Sequence, residues 1–391
     1  MTRVLIGIFI LFSQTLIAQT TKDSLNIELE KIISNSKIPG LGVCVVGENG
    51  IVYSEGFGYR DVEQKKYYDS LTVQPVASIS KTMIAVALMK LVEDGKVNLN
   101  EDINTYLPFK VTNPYFPEAK ITLLQLATHT SSISENAQTD AGSYYIIEKD
   151  ATKEIFPKGY YKAYKKYSKN EDIAIDDYLK NYLTTSGTKF KKKNFGKYKP
   201  GTEYTYSNIA STLAAYIIEV VSEQSFEDFT KVHIFEPLAM TNTSWKQANT
   251  SNVSSQYFHN GAKAPDYSLI TFPAIDLHTN SIDMGKFLFE IMNGFNGSGT
   301  LLNKASYQQM FTNQINIEGT KERRGIFWSI TPEGNIGHGG AEIGTACELI
   351  FSPQLDKGFF MIINMSVYGV NELEGDYVNI LITISKYFKR L

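Results

Sequence analysis

Strand-like runs occupy only the two ends of this chain, and helical patterns fill the stretch between them. Near the start, "LGVCVVGENGIVYSEGFGY" places two β-rich runs on either side of Asn49-Gly50, a strong signal for a tight hairpin. Near the end, "GIFWSIT", "TACELIFS" and "GFFMIINM" are strand runs separated by the turn signals "PEGN" and "SPQLDKG". Between these ends, "TLLQLATHT", "SNIASTLAAYIIEVVSE" and "IDMGKFLFEIMNG" carry helical spacing. "SLNIELEKIISNSK" reads as a helix before the first strand, and "VNILITISKYFKR" as one after the last. No repeat of solenoid period is present. The simplest α+β architecture joins the two ends into one antiparallel sheet flanked by helices, with a mainly helical lobe inserted. The expected division is a sheet lobe of about 22–77 plus 315–391 and a helical lobe of about 78–314, with a binding cleft between them.

The first residues read as a targeting segment. Arg3 supplies a positive start, "VLIGIFILF" a short apolar run, and "SQTLIA" a small residue at Ala18. A signal peptide is expected over 1–18 and a mature domain over 19–391, hence a periplasmic or secreted protein with no membrane span after cleavage. No cysteine follows the apolar run, which argues against a lipid anchor. The net charge of -3 gives no global reason to bind nucleic acid. Cys44 and Cys347 both sit in apolar, strand-like stretches and are expected as buried free thiols, with a disulfide as the alternative. The segment 158–199 interleaves lysine with tyrosine and phenylalanine, in "KGYYKAYKKYSK" and "KFKKKNFGKYK". A solvated insertion is the plain reading. A second reading lets it overhang the cleft and shape substrate choice. Nucleic-acid binding is opposed by export and by the acidic interruption "NEDIAIDDY".

Three short motifs carry chemistry. Ser78 and Lys81 form an S-x-x-K pair, which puts a hydroxyl and an amine on one face of a helical turn. A buried lysine can lose its proton and act as a base toward the serine. The same pattern occurs as Ser34 with Lys37 and as Ser186 with Lys189, and a serine at a helix start is ordinarily a cap. Only Ser78 opens an apolar helix, from Ile79 through Val92 to a stop at Gly95, so Lys81 approaches a buried position. Tyr206 and Asn208 form a Y-x-N before a helix. Tyr206, partly as phenolate beside the lysine, can relay a proton, and Asn208 can bond a substrate carbonyl or order Lys81. Their plain alternative is a helix-capping turn, and Tyr377 with Asn379 is a second copy. His338, Gly339 and Gly340 stand before a strand, where glycines admit a ligand to the backbone and His338 can bond a substrate carboxylate or the Tyr206 hydroxyl. The alternative is a solvated turn histidine, and His259 with Gly261 is a second copy.

The ordered triple of S-x-x-K, Y-x-N and H-x-G resembles the serine β-lactamase and penicillin-binding-protein superfamily. It is most similar to the branch holding class C β-lactamases, D-alanyl-D-alanine carboxypeptidases, D-aminopeptidases and related esterases. "ITLLQLATHTSS", "KPGTEYTYSN" and "GHGGAEIGTACELIFSP" extend the resemblance over nearly all of the mature chain. It implies a β-lactamase/transpeptidase-like fold, an acylated Ser78, general acid and base work shared by Lys81 and Tyr206, and substrate contacts from Asn208, His338, Gly339 and Gly340. It also implies an oxyanion hole from the backbone N–H groups of Ser78 and Ala341, and neither a metal nor another cofactor. The implied activity is cleavage of an amide or ester bond in a small molecule or short, cell-wall-derived peptide. A penicillin-binding sensor with little turnover and a weak β-lactamase are the alternatives. Three departures stand out. Ser132 replaces the family's usual glycine, a glycine pair is missing from "FPAIDLHTNSIDM", and His338 takes the place of a lysine that would bind a β-lactam carboxylate.

Overall fold

The computed structural model describes residues 20–246 and 250–391. The expected signal segment, 1–18, lies outside the described residues. A helix over residues 20–35 (α1) leads into β1 (Gly40–Gly47) and β2 (Gly50–Asp61), which pair antiparallel across the Asn49-Gly50 turn. Gly50 has φ 111°, a backbone state that only glycine enters freely. Late in the chain come β3 (Ile336–Glu342), β4 (Thr345–Ser352) and β5 (Lys357–Ile363). The two ends meet where β1 runs antiparallel to β5, from Leu41 opposite Ile363 to Val46 opposite Gly358. The full sheet has nine strands. In order they are Lys66–Tyr67, β2, β1, β5, β4, β3, Ser329–Ile330, Arg323–Arg324 and Ile315–Asn316.

The alternation of a strand sorts its side chains onto two faces. Val43, Val45, Met361 and Ile363 pack with Leu25, Leu29 and Ile33 of α1 and with Ile380 and Ile384 of α5 (Asn371–Phe388). Cys44, Val46, Phe360 and Ile362 face the other way, onto Met284, Phe287 and Ile291 of α4 (Ser281–Asn296). This second core also holds α2 (Lys81–Glu93) and α3 (Asn208–Ser222), which pack together. Every residue of α2 from Lys81 to Met89 is buried, as its all-round apolar sequence implies.

Several local expectations change. The run "GIFWSIT" forms a strand only at Ser329–Ile330. Phe327 takes a left-handed φ of 57°, and the N–H groups of Ile326 and Phe327 donate to Met310 O and Ala127 O rather than to a strand. The middle is not purely helical. Gln74–Pro75, Leu277–Thr279 and Ser244–Trp245 make one small sheet, and Tyr144–Ile146 pairs with Tyr267–Leu269 in another. Helix α4 falls within the 78–314 stretch assigned to the helical lobe, yet it lies on β1, β2 and β5. Gly285 makes that contact possible, because a Cβ there would come 2.5 Å from Cys44 Sγ. The final helix begins at Asn371, a turn and more before the expected start. Cys44 and Cys347 are free and buried. They stand on β1 and β4 with β5 between them, a separation of roughly 9–10 Å that a disulfide does not span. No helix among the described residues is long and apolar enough to cross a membrane.

Candidate active site

The turn Ala77–Ser80 hands the chain from Gln74–Pro75 into α2. Ala77 sits in the left-handed region at φ 46°, a state that costs a residue with a Cβ about 1–2 kcal/mol. Ser78 lies within this turn, partly exposed, and no side-chain bond from it caps the helix. The structural serine is Ser80, whose hydroxyl donates to Ala77 O and accepts from Leu277 N. The capping alternative for Ser78 therefore falls away, and its hydroxyl is left for the cleft.

Lys81 is buried, and its amine has three acceptors around it. Nζ stands 3.2 Å from Ser78 Oγ, 2.7 Å from Asn208 Oδ1 and 2.8 Å from Ala274 O. Burial pulls its pKa down to about 7, against the pull of the Glu135 and Glu342 carboxylates. A neutral amine keeps two N–H donors, which suffice for Asn208 and Ala274, and can turn its lone pair to the Ser78 hydroxyl. The Tyr206 hydroxyl donates to Ser78 Oγ at 2.7 Å, and the lysine lies 4.8 Å from the Tyr206 ring centroid. Burial raises the Tyr206 pKa above the usual phenol range, so the expected partial phenolate is not its resting form. It is a proton donor at rest.

Asn208 is the first residue of α3, capped by Ser207, which accepts from Ala210 N. Its side-chain oxygen serves Lys81, and its backbone N–H donates to Glu135 Oε2 at 3.0 Å. Of the two roles expected for Asn208, ordering Lys81 is the one its contacts serve. It does not line the cleft. The cleft, about 320 Å³, is lined by Ser78, Tyr206, His338, Gly339, Gly340 and Ala341, which the sequence singled out, together with His129, Tyr204, Arg324, Trp328 and Tyr368. Ser78 and Ala341 thus line one space. Gly340 is required there, since a Cβ would lie 2.5 Å from Val76 O and 2.6 Å from Cys347 Sγ. His338 Nδ1 donates to Gly339 O at 2.6 Å rather than meeting Tyr206. Burial and the nearby Lys81 bring the His338 pKa down to about 3, so the ring is neutral.

Other residues come to the site without a motif to announce them. His129 packs its ring 4.4 Å from that of Tyr206 and accepts from Ser207 N. Its own burial pushes its pKa well down. Ser132, the departure from glycine, holds φ 64° and accepts a bond from Asn113 Nδ2, so the turn survives the substitution. Arg324 stacks on Tyr204 at 5.4 Å and bonds Ser329 and Glu322, while its Nε has no partner. "THTSS" was the visible signal for His129; Glu135 and Arg324 are ordinary charged residues until the chain folds. The Lys/Tyr segment also reaches this region. Tyr167 stacks on Tyr144 at 4.7 Å, and the Tyr144 hydroxyl donates to Glu342, next to Ala341.

The sequence profile of the Beta-lactamase family matches residues 17–382. The chain belongs to that family, whose fold unites serine hydrolases with penicillin-binding proteins. Among curated proteins it is similar to Protein flp of Staphylococcus aureus (strain N315), 26% identical over 66% of this chain and 47% of that one. It is also similar to the putative penicillin-binding protein PbpX of Bacillus subtilis (strain 168), 28% identical over 76% of this chain and 64% of that one. It thus spans about half to two thirds of the length of these relatives. The fold is shared with the octameric penicillin-binding protein homologue from Pyrococcus abyssi, at TM-score 0.72 and 23% identity over 92% of this chain and 77% of that one. It is shared too with the D-alanine carboxypeptidase AmpC from Burkholderia cenocepacia, at TM-score 0.68 and 18% identity over 94% and 99%.

Proposed function

We propose that this chain is an exported serine hydrolase, periplasmic or secreted, that cleaves an amide or ester bond through an acyl-enzyme on Ser78. A D-amino-acid peptide or a small ester is the substrate. The observation that carries this reading is the unbroken chain from Lys81 Nζ to Ser78 Oγ to the Tyr206 hydroxyl, at 3.2 and 2.7 Å. In the proposed reaction Ser78 Oγ bonds to the carbonyl carbon and its proton passes to the neutral Lys81 amine. The oxyanion that forms is held by the N–H groups of Ser78 and Ala341. Tyr206 gives its proton to the leaving amine or alcohol as the carbon–heteroatom bond breaks, which leaves a phenolate beside the Lys81 ammonium. Water then cleaves the acyl-enzyme by the reverse order of transfers.

The neutral His338 disfavours a dedicated β-lactamase, because it offers no positive charge where the lysine of such enzymes would stand. The test is a fluorophosphonate probe with the adduct mapped by mass spectrometry. Labelling at Ser78 is expected, and Ser78→Ala should cut ester hydrolysis by at least about 10³-fold. An unlabelled Ser78 beside a fully labelled control hydrolase would overturn the reading. An adduct with benzylpenicillin that never turns over, together with no ester or peptide hydrolysis, would favour the sensor.

A further inference from the structure

Glu348 lies behind Gly339 of the cleft, with no ion-pair partner among the described residues. It stands on β4 directly opposite Gly339, which lines the cleft. A Cβ at Gly339 would come 3.0 and 3.1 Å from the two Glu348 carboxylate oxygens. The missing side chain at 339 therefore leaves the carboxylate, partly exposed, against the backbone of a residue that lines the cleft. Its hydrogen bond is a long one, 3.5 Å from the Tyr377 hydroxyl. The Tyr377 ring lies 6.3 Å from that of Tyr368, inclined at 57°, and Tyr368 is 54% exposed at the cleft mouth. Burial raises the Tyr368 pKa, and the nearby Glu348 and Glu374 carboxylates raise it further. No ion pair involves Glu348 among the described residues. Burial accordingly raises its carboxyl to about 7, with the Tyr377 bond opposing.

A partly desolvated carboxylate without an ion-pair partner is costly, and a carboxylate beside two tyrosine rings favours an ammonium through charge and cation–π attraction. Arg324, the guanidinium in the cleft, lies across β3 from Glu348, because β4 borders one side of that strand and Ser329–Ile330 and Arg323–Arg324 follow on the other. An ammonium at Glu348 is thus kept from the like charge of Arg324. We infer that Glu348, Tyr368 and Tyr377 form a subsite at the cleft rim for a positively charged amine carried by the substrate. That the ammonium belongs to a substrate rests on the hydrolase reading above; that the subsite binds an ammonium does not.

The test measures inhibition of p-nitrophenyl acetate hydrolysis by n-butylammonium, with n-butanol as the neutral control, at pH 8 and fixed ionic strength. In the wild type the ammonium should bind about tenfold tighter than the alcohol. Glu348→Gln should bring the ratio of the two inhibition constants to about 1, and Tyr368→Leu should lower it by at least about threefold. The ratio is read within each variant, so a general loss of turnover cancels. Equal inhibition in the wild type, or a ratio unchanged by Glu348→Gln, would overturn the inference. If the wild type neither hydrolyses the ester nor takes a fluorophosphonate label at Ser78, the hydrolase reading fails by itself. Calorimetric titration with n-butylammonium then decides the subsite: binding lost in Glu348→Gln supports it, and equal binding in both proteins overturns it.

Discussion

Lys81 is held between forces of opposite sign. Burial favours its neutral amine, while Glu135 and Glu342 favour the ammonium, and the balance falls at about 7. Under the proposed mechanism the acid limb of kcat/KM against pH should therefore have its midpoint near 7. Glu135→Gln removes a charge that stabilises the ammonium, so it should move that limb to lower pH; a limb that stays put would dissociate Glu135 from the base. The same shift bears on stability. Between about pH 7 and 10.5 the unfolded chain holds a proton that the folded chain has released, so the contribution of Lys81 raises stability with pH across that window. Lys81→Met should flatten the rise, measured by urea unfolding at several pH values. At this scale Ser78, Lys81, Tyr206, Asn208 and His338 were legible because each belongs to a short motif. Glu135, Arg324 and Glu348 were not, since each acquires its role only from neighbours far away in sequence.

Elements set the geometry through close backbone approaches. The turn Ala77–Ser80 lies against β3, and Gly340 is the contact. Gly340→Ala should push β3 away from the turn and cost about 10²-fold in turnover, since a displacement of about 1 Å at a reacting centre has that effect. Labelling of Ser78 by fluorophosphonate should slow in parallel. Gly285→Ala tests a contact remote from the chemistry. It sets a Cβ against Cys44 Sγ and should destabilise the fold by about 1–3 kcal/mol in denaturant unfolding. In sequence, Gly285 reads only as a weak point in a helix. The reason for it is the sheet beneath, which local periodicity does not contain. The lost strand at "GIFW" is the converse case, where β propensity yields to hydrogen bonds offered by Met310 and Ala127.

For the molecule as a whole, closure of the sheet depends on both chain ends. Helix α5 buries Leu373, Tyr377, Ile380, Ile384, Tyr387 and Phe388 over the face that α1 shares. At ~1.5 kcal/mol for each side chain this is roughly 9 kcal/mol, comparable with the whole stability of a typical domain. A chain ended after Val370 should show no cooperative thermal transition and no fluorophosphonate labelling of Ser78. Retained labelling would show that the catalytic core stands without this cover.

The partition into strand ends and a helical middle, the hairpin at Asn49-Gly50 and the three motifs are all properties of near neighbours along the chain, and periodicity and turn chemistry determined them from sequence alone. The choice among repeated motifs was decided by tertiary structure. Lys37 pairs with Glu372 on the surface, Ser186 bonds Thr184, and Tyr377 turns to Glu348, while Lys81 meets an asparagine 127 residues away. Desolvation and like or unlike charge act through space, so the basicity of Lys81, the neutrality of His338 and the raised pKa of Glu348 exist only once the sheet has closed.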